Sequence, residues 1–227
     1  RAMVTHYARL GYARHVTTVC ASASRLVGND RCLSFWRAFG TMGEGRGSEA
    51  ITKLESLLGD PEMDLAIMAA IVHAHKSAKG VVDVESVESY EGRLIEEQES
   101  ASASALVECA LFYHLSNGPD SGKAKETAMK ALDTDSNDSR AKTLLGWIEL
   151  TGRGEAVERD ERTDDANESA SADVVTLRRA SRKRAAKALG VFDAVLSSQD
   201  RGGEAEIDAI VGKAQALTAL SRYDGVV

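Results

Sequence analysis

Few of the 227 residues have types and spacing that suggest chemistry, and a glycine-rich stretch is the first of them. Residues 40–48 read Gly-Thr-Met-Gly-Glu-Gly-Arg-Gly-Ser, and glycine-rich loops of this general kind cradle phosphate groups. The stretch lacks the lysine that follows the last glycine of a phosphate-binding loop, and no predicted strand precedes it. It therefore predicts a turn between paired helices, in which glycine takes the left-handed conformation that ends the first helix.

The histidines are the residues most able to bind a metal or act as a base, but their spacing favours neither role. His73 and His75 are two residues apart, so on a helix they point in different directions and cannot share a metal as residues four apart can. His6, His15 and His114 have no cysteine or paired carboxylate at ligand or triad spacing. We predict no catalytic, cofactor-binding or metal-binding residue, and we expect a protein without a cofactor that is not an enzyme.

Clustered glutamates and aromatic residues have simpler interpretations than a reactive site. Nothing in the local sequence would desolvate Glu96, Glu97 or Glu99 and raise a carboxyl pKa, so they are interpreted as a solvated helix face. The aromatic residues within 35–39 are interpreted as anchors of a core or groove.

Composition narrows the class of protein further. The chain contains 28 Lys and Arg against 35 Asp and Glu, a net charge of −7, which argues against nucleic acid as a partner. Alanine occurs 34 times and only 5% of residues are aromatic, which favours closely packed helices. No uncharged apolar stretch approaches the ~18 residues of a membrane span, so direct membrane insertion is not expected. Cys20, Cys32 and Cys109 form no CxxC pair, which favours core packing in a reducing compartment.

A repeated helix face is the strongest pattern in the sequence. Small and apolar residues recur at i, i+4 and i+7 before polar or glycine-containing breaks, which predicts helices that pack through one face. Val16 and Ala50 lie 34 residues apart, and Ala124 and Ala188 lie 64 apart, which is 34 plus 30. The four copies are Val16, Cys20 and Ala23; Ala50, Leu54 and Leu57; Ala124, Ala128 and Ala131; and Ala188, Phe192 and Val195. Leading helices are marked by Ala38, Ala110, Gly146 and Ala214.

These spacings predict an all-α fold, a right-handed α-solenoid of about six tetratricopeptide-like helix pairs over residues 1–227, as a fragment of a longer array. Small residues at the markers let paired helices approach closely. The third pair is the least regular, because residues 83–94 contain two competing apolar registers. The predicted helices are 2–10, 13–27, 33–44, 48–58, 62–77, 83–98, 102–116, 122–133, 139–151, 181–198 and 206–221.

The excess of 30 residues between Gly146 and Ala188 predicts an insertion at about 152–180. Its acidic, aromatic-free first part cannot bury enough apolar area to offset its ordering entropy, so we expect a disordered or mobile loop. Arg178-Arg-Ala-Ser181 predicts phosphorylation of Ser181, and Arg182-Lys-Arg184 could be a nuclear-localisation or polyanion-binding patch. The alternative is a solvated helix start whose charges are balanced by the acidic tract.

The order of several segments resembles one family. The Gly/Ala, Ala, Leu pattern resembles the tetratricopeptide repeat, although the proline after the second helix and the tryptophan of the first are mostly absent or displaced. In sequence order, the chain resembles the amino-terminal repeats of the tetratricopeptide repeat protein 21 family, the large repeat subunit of intraflagellar transport complex A. The segments are Phe35–Gly45, Ser48–Ile51, Ile71–Lys76, Ala110–His114, Gly146–Thr151 and Gly212–Gln215.

The resemblance implies a non-catalytic scaffold whose partners are other subunits of intraflagellar transport complex A, neighbouring train components and ciliary membrane-protein cargo. It implies support of retrograde transport and of cargo import, and a location in the cilium or flagellum and at the basal body, on the cytoplasmic side.

Two other classes remain open from the sequence alone. A peptide-binding co-chaperone module would need Lys, Arg and Asn converging from leading helices, and residues 105–114 contain none of them. An accessory subunit of another helical-repeat complex would share the same fold and would differ only in what copurifies with it.

Overall fold

The fold is all-α over the residues that the computed structural model describes, which are 1–28, 30–77, 83–116, 122–152, 169–198 and 203–220. In these ranges the backbone forms eleven helices and no strand, which confirms the predicted all-α helical-repeat fold. Every bound falls within three residues of its predicted position except the start of the tenth helix. The helices are α1 (Ala2–Arg9), α2 (Ala13–Val27), α3 (Arg31–Gly43), α4 (Gly47–Glu55), α5 (Asp64–Ser77), α6 (Val84–Gln98), α7 (Ala103–Leu115), α8 (Lys123–Thr134), α9 (Ser139–Thr151), α10 (Ser169–Ser197) and α11 (Glu204–Ala219).

Helix α10 is longer than the sequence pattern predicts. It begins at Ser169, whereas the expected start is at residue 181, so the last part of the predicted insertion is helical. Six of the twelve residues 169–180 are Ala, Arg or Leu, which have high helix propensity. Among the described side chains of α10, the buried ones begin at Ala185. Residues 153–168, and the predicted mobility there, lie outside the described residues.

The helix spacing follows the predicted repeat closely. The leading helices α1, α3, α5, α7 and α9 begin at residues 2, 31, 64, 103 and 139, at intervals of 29, 33, 39 and 36 residues. Side chains cap several helix starts: Asp30 accepts a hydrogen bond from the Leu33 backbone N–H at 2.8 Å, and Ser102 accepts one from the Ala105 N–H at 3.2 Å. Such caps satisfy backbone donors that have no partner within the helix.

The chain divides into two compact units, of which unit 1 comprises residues 1–138. In unit 1 each of the first four helices packs on the next. Helix α5 packs on both α6 and α7, and α7 packs on α8. Helices α5 and α7 are apolar and buried around most of their circumference, as expected for helices covered on all sides.

Aromatic rings join α3, α5 and α7 in the core of unit 1. The Phe112 ring contacts Phe35 and Phe39 edge-on, with centroids 6.3 and 6.1 Å apart, and it contacts His73 at 5.9 Å. Arg1 and the buried Glu108 also form an ion pair between α1 and α7. In a simple array each helix pair contacts mainly its sequence neighbours, and the Arg1–Glu108 ion pair would not form. Helices α1 and α7 are therefore closer together than predicted.

Unit 2 comprises residues 139–227, and the Phe192 ring of α10 lies at the centre of its three described helices. Gly146 of α9 and Gly212 of α11 both face this ring, and a Cβ atom added at either would lie 2.6 or 2.4 Å from a ring carbon. The Trp147 ring packs edge-on at 5.8 Å. The two glycines therefore create the space that the phenylalanine fills.

Gly212→Ala should destabilise unit 2 by ~1–3 kcal/mol, because the added methyl group overpacks the Phe192 ring. Urea unfolding measures the change. The matched control is Gly190→Ala in α10, where an added Cβ meets nothing within 4 Å and alanine should stabilise the helix by ~0.5–1 kcal/mol. Equal effects of the two substitutions would contradict the close contact.

The described part of the chain contains no helix long and apolar enough to cross a membrane.

Candidate interaction surface

Most of the predicted repeat-packing residues are buried in the structure. Ala23, Leu57 and Ala214 are half-buried instead. The buried residues are Val16, Cys20, Ala38, Ala50, Leu54, Ala110, Ala124, Ala128, Ala131, Gly146, Ala188, Phe192 and Val195. The surface available to a partner is therefore formed by other residues, on the outer faces of the helices.

The glycine-rich stretch is partly helix and partly turn. Gly45 has φ +82° in the turn after α3, as predicted for the end of that helix. Gly40 lies inside α3, and its bare Cα faces α2, where an added Cβ would lie 2.7 Å from Thr17 Cγ2 and 2.9 Å from the Ala13 carbonyl oxygen. The Thr17 hydroxyl donates to Glu44 at 3.0 Å and lowers the pKa of that carboxyl. The stretch thus joins two helices.

The histidines contact different groups in the fold. The His73 ring contacts Phe112, and its Nε2 lies 3.3 Å from the Ser77 hydroxyl. His15 packs against the Tyr7 ring at 5.1 Å, and His114 is buried. Among the described residues, no group of three His, Cys, Asp or Glu side chains could hold a metal ion.

The three cysteines differ in burial and therefore in reactivity. Burial raises the pKa of the Cys109 thiol to about 12 and that of the Cys20 thiol to about 11. Since the thiolate is the reactive species, both thiols are inert near neutral pH. Cys32, in the first turn of α3, is half-buried.

We expect a thiol-selective disulfide reagent at mildly alkaline pH to modify Cys32 first and Cys20 and Cys109 only on unfolding. The absorbance of the thiolate released from the reagent, followed over time in native and in denatured protein, measures how fast the three thiols react. Cys32→Ser should remove the rapid phase of thiolate release and leave the slow phase, which comes from Cys20 and Cys109 as the protein unfolds. Equal rates for all three thiols in the native chain would contradict this placement.

A groove opens in unit 1 where the helix packing changes. Helix α2 packs on α3 and α4 packs on α5, but α6 packs on α5 without comparable contact with α7. Only Val87 and Leu94 of α6 are buried. The two competing apolar registers in this segment were a signal of irregular packing, although they did not predict the groove itself.

This groove, called the α6–α8 groove below, has a volume of about 330 Å³. Ala69 and Val72 of α5 and Leu94 of α6 contribute apolar surface. Polar groups come from both outer helices, and Lys123 lies 5.9 Å from the centroid of the Tyr113 ring. The remaining lining residues are Glu91, Ile95, Gln98, Glu126 and Thr127.

The basic segment of α10 is exposed. Ser181, the predicted phosphorylation site, is exposed on this helix, as are Arg182 and Lys183. Further along, Lys187 pairs with the buried Glu149 of α9 at 2.8 Å. Phosphorylation at Ser181 stays a prediction.

Stacked helix pairs with small buried faces define an α-helical repeat protein. The family model described as the tetratricopeptide repeat protein 21 N-terminal ARM repeat matches residues 4–227. The chain belongs to the tetratricopeptide repeat protein 21 family. Armadillo (ARM) and tetratricopeptide repeats are both arrays of stacked helices, so this description agrees with the observed helix order.

Individual relatives agree with this assignment. The chain is 32% identical to tetratricopeptide repeat protein 21A of Mus musculus over 150 residues, which cover 66% of this chain and 11% of the relative. It is 31% identical to the human 21A protein over 148 residues, covering 65% and 11%. It is 30% identical to tetratricopeptide repeat protein 21B of Xenopus laevis over 153 residues, covering 67% and 11%. The matched region thus spans about a tenth of these relatives.

Proposed function

We propose that the chain is a non-catalytic scaffold segment of intraflagellar transport complex A, acting in retrograde ciliary transport and in import of ciliary membrane proteins. The family match over residues 4–227 is the observation that carries the proposal. The fold supports it, because stacked helix pairs present extended surfaces to several partners at once. The partners would be other subunits of that complex, neighbouring train components and membrane-protein cargo, on the cytoplasmic side of the cilium or flagellum and at the basal body.

Affinity purification of the tagged 227-residue chain from ciliated cells tests the proposal. We expect quantitative mass spectrometry to find subunits of intraflagellar transport complex A enriched over a tag-only control. Recovery of chaperones with acidic carboxyl-terminal peptides would favour the co-chaperone class instead. Recovery of a different helical-repeat assembly without ciliary transport subunits would refute the ciliary role while leaving a scaffold role in place.

A further inference from the structure

We propose that the α6–α8 groove binds a basic amphipathic helix supplied by a partner protein. The inference rests on the proposed scaffold function and adds the chemistry of one partner segment. Three properties of the groove carry it: its position in the helix array, its apolar surface and the charge of its rim.

The position of the groove matches the position of a helix. At the two preceding junctions of unit 1, a trailing helix packs on the next leading helix, as α2 does on α3 and α4 does on α5. At the third junction α6 does not occupy that place on α7. A volume of about 330 Å³ accommodates several side chains but not a whole helix. The partner helix would therefore lie along the groove and insert its apolar side chains.

The apolar surface of the groove is suited to one face of a helix. Val72 and Leu94 contribute to the lining, and Ile95 on the α6 wall is 68% exposed. A large aliphatic side chain beside an apolar groove favours burial by a partner. Helix-in-groove recognition uses apolar anchors at i, i+3, i+4 and i+7 of the bound helix.

The charge of the rim selects a basic partner. Helix α6 contains five Glu and one Arg. Glu91 already pairs with Lys76 at 2.7 Å, and Glu97 pairs with Arg93 at 3.0 Å. Glu88, three residues before Glu91, is exposed and forms no ion pair with the described part of the chain.

The α8 wall carries both signs of charge and does not cancel this excess. Lys123 and Glu126 line the groove, and Glu126 pairs with Lys130 of the same helix at 3.4 Å. The formal charge is −4 on α6 and +1 on α8, so the two walls are together negative. This charge attracts Lys and Arg at the edges of a partner helix and disfavours an acidic peptide.

Fluorescence anisotropy with the full 227-residue chain tests the proposal. The probe is a labelled leucine–lysine peptide with leucines at i, i+3, i+4 and i+7, and its counterpart has glutamate in place of lysine. We expect the lysine peptide to bind and the glutamate peptide not to bind. Ile95→Ser should weaken binding about tenfold, as loss of a central anchor does. Glu88→Gln should weaken it less and reduce its dependence on salt.

Matched variants separate the groove from the overall negative charge. Leu26→Ser removes an apolar side chain that is 87% exposed on α2, and Glu55→Gln removes an exposed charge at the end of α4. Neither should alter binding, and urea unfolding should show that all variants fold. Equal weakening by Ile95→Ser and Leu26→Ser would overturn the proposal.

Two further outcomes would also overturn it and leave the scaffold function in place. One is self-association that Ile95→Ser abolishes, which would make a second copy of the chain the occupant of the groove. The other is absence of peptide binding by a chain that still retrieves complex A subunits from cells.

Discussion

Phe192→Ala should lower the free energy of unfolding of unit 2 by ~3–5 kcal/mol. The ring is fully buried between α9 and α11, and two glycines already shape the surface around it. The neighbouring helices have no side chains at Gly146 and Gly212 that could move into the cavity, so relaxation would recover little of the lost packing. A loss of this size is a large fraction of the ~5–15 kcal/mol that stabilises a typical domain.

Tryptophan fluorescence can report this loss for unit 2 alone. The chain has two tryptophans, Trp36 in unit 1 and Trp147 in unit 2, so a Trp36→Phe background leaves only the residue that packs on Phe192. Ile210→Ala is the control, because this side chain on α11 is 51% exposed and its loss should change stability by less than ~0.5 kcal/mol. Similar losses for the two variants would contradict the central role of the ring.

Phe112→Ala should destabilise unit 1 by a similar amount, ~3–5 kcal/mol. The side chain is fully buried and contacts rings from α3 and α5 as well as Tyr113 of its own helix. The truncation removes its buried area and several edge-to-face contacts, each worth ~0.5–1.5 kcal/mol beyond area.

A Trp147→Phe background makes Trp36 the reporter for this second experiment. Leu26→Ala serves as the control, since Leu26 is almost fully exposed on α2. An unfolding midpoint of Phe112→Ala that equals that of the control would show that unit 1 does not depend on the aromatic core.

The helix positions and pairing could be predicted because they depend on local pattern. Ala124, Ala128 and Ala131 lie on one face at helical spacing, and the structure buries all three. The start of α10 could not be found in this way. The predicted start was set by the 30-residue excess in repeat spacing and by the acidic composition of the predicted insertion, and neither of these marks where a helix begins.

Contacts between distant segments were beyond the sequence pattern. Arg1 and Glu108 are 107 residues apart, and their pairing depends on how the intervening helices curve. The α6–α8 groove depends on which of two apolar registers α6 uses, and Val87 and Leu94 show which one is buried. Gly146 and Phe192 were both predicted to be repeat-packing residues. That they contact each other depends on how three helices cross, which the sequence pattern does not determine.

The burial of α5 and α7 on nearly all sides limits how unit 1 can be dissected biochemically. A helix that is apolar around its circumference is stable in water only while its neighbours cover it. A shortened protein that ended after α6 would leave the side of α5 that packs on α7 open to water, as a patch prone to aggregation. Point substitutions on the outer faces are therefore the appropriate way to map binding within this unit, and a deletion would confuse lost contacts with lost folding.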